Sequence, residues 1–96
     1  SKILILNGTG VPGLAGKVSS GLEELGYSRM DVDNADSLGG DTTVVQHSPK
    51  VSEEALDEIA DYLYKQFADV SLTEYEEGSD FPHDVIVTTG KLLTID

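Results

Sequence analysis

Hydrophobic residues fall along this chain in two rhythms. Lys2 to Asn7 reads Lys-Ile-Leu-Ile-Leu-Asn. Four consecutive apolar residues without alternation predict a strand that is buried on both faces or lies centrally in a sheet. A turn-rich stretch follows, Asn7-Gly8-Thr9-Gly10-Val11-Pro12-Gly13. The rhythm then changes. Leu14, Val18, Leu22 and Leu25 repeat at spacings of four, four and three, which predicts a helix closed by Gly26 as its C-terminal cap. Arg29 to Val32 reads as a short second strand, and Asp33 to Asp41, polar and glycine-rich, as a loop. Thr42 to His47 is β-branched and predicts a third strand.

The second helix is the best-signposted element. Ser52 is placed to cap it, with Glu53 and Glu54 in the first turn facing the positive end of the helix dipole. Val51 before the cap and Leu56 in the second turn form a hydrophobic staple. Leu56, Ile59, Ala60, Leu63 and Phe67 make one apolar stripe. Val70 to Tyr75 alternates and predicts a fourth strand. Glu76 to Asp84 is an acidic loop. Asp84 to Thr89 holds Val85-Ile86-Val87, a last and central strand. The order is β-α-β-β-α-β-β. Two helices cannot cover both faces of five strands, so the predicted fold class is α/β: a two-layer sandwich of a mixed five-stranded sheet with two helices.

Length and composition narrow the picture. The 96 residues make one domain. The apolar run that opens the chain has no leader before it, so Ser1 reads as a remnant of cloning and residues 1–96 as one domain cut from a longer protein. Eighteen acidic against six basic residues leave a net charge of -12. That excludes unaided nucleic-acid binding, which needs clustered Lys and Arg, and disfavours adsorption to anionic lipid. The absence of cysteine excludes disulfides and thiolate metal sites. No apolar run reaches the ~18 residues of a spanning helix.

Gly8-Thr9-Gly10-Val11-Pro12-Gly13 is a Gly-x-Gly-x-x-Gly sequence between a predicted strand and a predicted helix. Asp31 and Asp33 follow about 20 residues on, the context of a dinucleotide-binding fingerprint. The glycines would bring backbone close to a phosphate at the helix N-terminus. Against this, 96 residues hardly hold two mononucleotide-binding halves. Pro12 removes an N–H donor, although proline suits a first helical position. Lys17 is the one nearby cation, and the global charge repels phosphate. The favoured reading is a tight strand-to-helix turn whose glycines give positive φ and close packing. If the loop does hold a ligand, Asn7, Gly8, Thr9, Gly10 and Gly13 are the candidate binding residues.

Other constellations are weaker. His47 and His83 each neighbour a turn, Ser48-Pro49 after the first and Pro82 before the second, and His83-Asp84 could fix a tautomer, but no serine sits in a strand-to-helix elbow to serve as nucleophile. Asp31, Asp33, Asn34, Asp36 and Asp41 crowd one segment, yet Asp36 stands where a calcium loop requires glycine. Gly90-Lys91 is followed by Leu92 and lacks the remaining glycine of a phosphate loop. Glu53, Glu54, Asp57, Glu58 and Asp61 make the second helix strongly acidic, a solvated face or a surface for a basic partner. Tyr62 and Tyr64 point to different sides of that helix, one toward the core and one to solvent. Tyr27 and Tyr75 lie near predicted strand ends, and exposed tyrosines can stack on sugars. No catalytic group, metal or cofactor is implied.

Ile-Leu-Asn-Gly-Thr-Gly-Val-Pro-Gly-Leu-Ala, residues 5 to 15, resembles the opening of the LytR C-terminal domain family. The resemblance continues through Leu22, Leu25-Gly26-Tyr27, Asp33-Asn34-Ala35-Asp36, Thr43-Val44-Val45, the second amphipathic helix, and Asp84-Val85-Ile86-Val87 with Gly90. It covers nearly the whole chain. One departure is Leu92, where an acidic residue is expected. The resemblance implies a non-catalytic accessory domain of a cell-envelope protein. Such proteins are typically anchored by one N-terminal transmembrane helix, with the rest outside the membrane. Some carry a LytR-CpsA-Psr catalytic domain, implied to transfer anionic glycopolymers to peptidoglycan; that domain is not in this sequence. The expected location is extracytoplasmic, at the cell envelope. The expected partners are cell-wall glycan or an envelope protein, with no nucleic acid and no direct membrane contact by this domain; the oligomeric state stays open. The alternatives are a small nucleotide- or phosphate-binding domain and a purely structural appendage.

Overall fold

A computed structural model describes residues 2–9, 11, 13–27, 30–35, 40–75 and 84–92. Its elements are β1 (Ile3–Asn7), α1 (Leu14–Glu24), β2 (Met30–Asn34), β3 (Thr43–His47), α2 (Glu53–Gln66), β4 (Val70–Glu74) and β5 (Val85–Thr88). The predicted order and class hold. The sheet runs β2-β1-β5-β3-β4, so the last strand is the central one. β1 pairs in parallel with β2 and with β5, β3 pairs in parallel with β4, and β3 meets β5 antiparallel. The domain is thus two β-α-β units, running in opposite directions, joined by β5.

The pairing register decides which side chains share a face. Ile3 and Ile5 lie beside Val85 and Val87, and Val45 lies opposite Val87. With Val70, these form one buried cluster with Leu14, Ala15, Val18 and Leu22 of α1, Ile59 and Leu63 of α2, and Phe67. Both helices therefore cover the same face. Fully burying a side chain of this size contributes roughly 1.5–3 kcal/mol, so this face holds the domain together.

Local signals explain the helix ends. The Ser52 hydroxyl accepts from the Ala55 N–H at 3.2 Å, Glu53 and Glu54 occupy the first turn of α2, and Lys65 its last. α1 has no side-chain cap and no acid in its first turn. It begins instead at Gly13, whose φ of 79° is left-handed. It ends in a Schellman motif: Gly26, at φ 103°, donates to the Glu23 carbonyl at 2.9 Å and Tyr27 to that of Leu22 at 3.2 Å.

Three expectations are corrected. Of the two alternatives for β1, the interior position in the sheet holds, but burial on both faces does not: Leu4 and Leu6 are only half-buried, because the helices lie on one side. Leu25 does not join the α1 stripe: it sits past the last helical turn, off that stripe, 41% exposed. The second strand runs on through Asp33 and Asn34, which were expected in a loop. Their pairing with Leu6 and Asn7 outweighs the low strand propensity of both residues, and on an edge strand their side chains stay in water.

Candidate functional site

The glycine-rich turn sits at the C-terminal end of β1, and Asn7 is its hub. The Asn7 carboxamide donates through Nδ2 to the Val11 carbonyl at 2.6 Å. Its Oδ1 accepts from the Thr9 N–H at 3.0 Å and the Thr9 hydroxyl at 2.8 Å. Thr9 Oγ1 in turn accepts from the Val11 N–H at 3.0 Å, and Leu14 donates to the Val11 carbonyl at 3.3 Å. Asn7 is 6% exposed, so its polar atoms need these partners.

Beneath the turn, two glycine–threonine contacts join three strands. The Gly8 N–H donates to Thr89 Oγ1 at 3.0 Å, and the Gly90 N–H donates to Thr43 Oγ1 at 2.8 Å. A Cβ on Gly8 would collide with the Thr89 carbonyl oxygen, and one on Gly90 with the Thr42 backbone. Both positions need glycine because two backbones meet there. Thr43 and Thr89 are almost fully buried.

This wiring disfavours the nucleotide reading. The N–H groups of Gly8, Thr9, Val11 and Leu14 are already bonded within the protein, so they cannot cradle a phosphate. A hollow of about 260 Å³ beside the α1 N-terminus is lined by Asn7, Gly13, Ala15, Gly16, Val32, Asp33 and Asn34, with no Lys or Arg among them to meet an anion. Topology adds to this. A dinucleotide crevice needs both halves to present strand C-termini on one side, whereas β3 and β4 run opposite to β1 and β5.

On the other side of the turn lies a groove of about 280 Å³, lined by Thr9, Val11, Gly40, Asp41, Lys91 and Leu92. It gathers the segments that follow β1 and β5 and the one that precedes β3. Val11 and Leu92 are 43% and 37% exposed and give it apolar walls. Asp41 and Lys91 supply one charge of each sign. The second wall is held in place: Lys91 donates to the Asp41 carbonyl at 3.3 Å and accepts from Ala68 at 3.0 Å, while Leu92 bridges to Phe67.

The five candidate binding residues are therefore divided. Thr9 lines the groove, Asn7 and Gly13 line the hollow, Gly8 is buried under the turn, and Gly10 lies outside the described residues. Val11, Lys91 and Leu92 were not picked out as binding residues. Leu92 was marked by its departure from an expected acid, but no local signal places it beside Val11. The helix-opening role considered for Pro12 lies outside the described residues.

His47 ends β3 with Nδ1 3.2 Å from the Ser48 carbonyl, while His83 and the Phe81-Pro82 peptide lie outside the described residues, as do Asp36, Glu76, Glu77 and Asp80. Among the described residues no group of three His, Cys, Asp or Glu is placed to hold a metal ion, and no helix is long and apolar enough to cross a membrane.

The tyrosines divide as their spacing predicted. Tyr62 packs on the core; Tyr64 is 54% exposed, its hydroxyl 3.3 Å from the Val70 carbonyl. Tyr27 also packs on the core, with its hydroxyl 3.4 Å from the Ala55 carbonyl. Burial, then hydrogen bonding to and repulsion from Glu58, push the Tyr27 phenol above its usual pKa. Burial, then Glu24, do the same to Tyr62.

The family model for the LytR cell envelope-related transcriptional attenuator matches residues 1–91. The chain belongs to the LytR C-terminal domain family. LytR C-terminal domains are accessory domains of cell-envelope proteins, as the opening motif and the later matches implied. A solved structure is similar in fold, the soluble domain of a conserved hypothetical secreted protein from Mycobacterium marinum. It is 20% identical with a TM-score of 0.63, and the match covers 100% of this chain and 65% of that one. This LytR C-terminal domain thus spans about two thirds of that chain's length. None of the curated proteins matches it.

Proposed function

We propose that this LytR C-terminal domain is a non-catalytic, extracytoplasmic module that positions a longer, membrane-anchored envelope protein at the cell wall. The observation that carries this reading is the groove between Val11 and Leu92. It opens at the C-terminal ends of β1 and β5, where α/β sheets commonly take ligands, and its mixed walls suit an uncharged or zwitterionic wall fragment. Family membership supports the envelope setting, and the secreted relative supports a location outside the membrane. The net charge of -12 argues against direct binding of an anionic glycopolymer.

The test is co-sedimentation with isolated peptidoglycan, with and without its anionic polymers, and with and without Ca²⁺. The domain is expected to pellet with stripped wall at least as well as with intact wall. Val11→Asp and Lys91→Glu should each lower the bound fraction. No pelleting in any condition would sink the wall-binding reading.

A further inference from the structure

The sheet has a second face that neither helix covers. The register places Leu4 beside Ile86, Leu6 beside Thr88, Val44 opposite Thr88, and Gln46 opposite Ile86. Asp31 and Asp33 stand beside Leu4 and Leu6 on the β2 edge, and Ser71 and Thr73 beside Val44 and Gln46 on the β4 edge. The centre of this face is a contiguous patch of Leu4, Leu6, Ile86 and Val44. Ile86 is buried, while Leu4, Leu6 and Val44 are half-buried. One border carries carboxylates and the other hydroxyls.

Three observations point to a covering layer. First, β2, β1 and β5 form the all-parallel half of a mixed sheet, and all-parallel arrangements are usually covered on both faces. Second, Ile3-Leu4-Ile5-Leu6 and Val85-Ile86-Val87 do not alternate with polar residues, although an open face normally does. The sequence is written for two covered faces, and among the described residues the helices cover one. Third, the patch has acidic residues on one side, within a domain of net charge -12. A cover whose flank is cationic gains on approach and in register; a second copy of this chain would bring two strongly acidic bodies together. The five-residue strand β1 spans roughly 17 Å, which a helix of about 11 residues matches at 1.5 Å per residue.

We infer that the uncovered sheet face docks a cationic amphipathic helix of a partner protein, its apolar stripe on Leu4, Leu6, Ile86 and Val44 and its basic flank along Asp33 on the β2 edge. This surface is separate from the groove, so loss of wall binding leaves it standing and the reverse is also true.

The test is a titration of the isotope-labelled domain, followed by amide chemical shifts, with a synthetic leucine–lysine peptide of about 12 residues whose leucines fall at helical spacing. A scrambled peptide of the same composition is the control. The expected result is shifts concentrated at Leu4, Leu6, Val44, Ile86 and Thr88, with the scrambled peptide at least about tenfold weaker. Leu6→Lys should weaken binding about tenfold, and Asp33→Asn about two- to threefold with a shallower salt dependence. Val44→Lys serves should Leu6→Lys not fold. Equal binding of both peptides, shifts centred on Glu53 to Asp61 of α2, or no binding would overturn the proposal. So would concentration-dependent shifts at the same face without peptide, together with sedimentation as a dimer, since the cover would then be a second copy.

Discussion

The two helices are held by different means. α2 carries its own instructions: a serine cap, two acids in its first turn, a lysine in its last and one apolar stripe. α1 starts without a side-chain cap, on a turn tied by Asn7 and anchored through Gly8 to Thr89, 81 positions away in sequence. One helix is specified by neighbours in sequence, the other by neighbours in space. Damage to α2's signals should therefore be small and local, whereas damage to the wiring at α1's entry should reach the centre of the sheet.

The sharpest test of that contrast is Gly8→Ala. Its Cβ would meet the Thr89 backbone, which cannot swing aside as a side chain could. The expected loss is about 3 kcal/mol in urea unfolding, the upper end for overpacking. Asn7→Ala should cost about 2 kcal/mol, because the Val11 carbonyl and Thr9 N–H lose a buried partner. Ser52→Ala, which removes only a local cap, should cost about 1 kcal/mol. Gly16→Ala has the opposite sign. Gly16 lies on the exposed side of α1 with nothing near the added Cβ, so thermal unfolding should show a gain of about 0.8 kcal/mol. A Gly8→Ala loss no greater than that of Ser52→Ala would remove the distinction between the helices.

The smallest effect is in alkaline pH. Tyr27 and Tyr62 have folded-state pKa values raised above 10.0. The unfolded chain therefore releases these protons first, and binding fewer protons in the unfolded state makes stability fall as pH rises. Their contribution is intact below pH 10.0 and declines from there up through the raised values. Tyr27→Phe and Tyr62→Phe together should flatten this decline in unfolding measured across that range.

The fold was largely legible in the sequence because its signals are local. The α2 cap, the Gly26 stop and the apolar runs of β1 and β5 each announce themselves within a few residues. Asp33 and Asn34 in β2 were not legible, since a parallel partner overrode their propensity. The site was legible in half. Asn7 to Gly13 marks the turn, but the groove's other wall, Lys91 and Leu92, reaches Val11 only through pairing of the first strand with the last. The resemblance to LytR C-terminal domains identified the family without revealing that pairing.

The central place of β5 has a consequence in time. Ile3 pairs with Val85 and β3 pairs with β5, so the two β-α-β units have no strand in common until the final strand arrives. Long-range pairing of this kind makes folding slow. While a ribosome still holds β5, the sheet lacks its middle strand, and the two β-α-β units have no strand through which to pair.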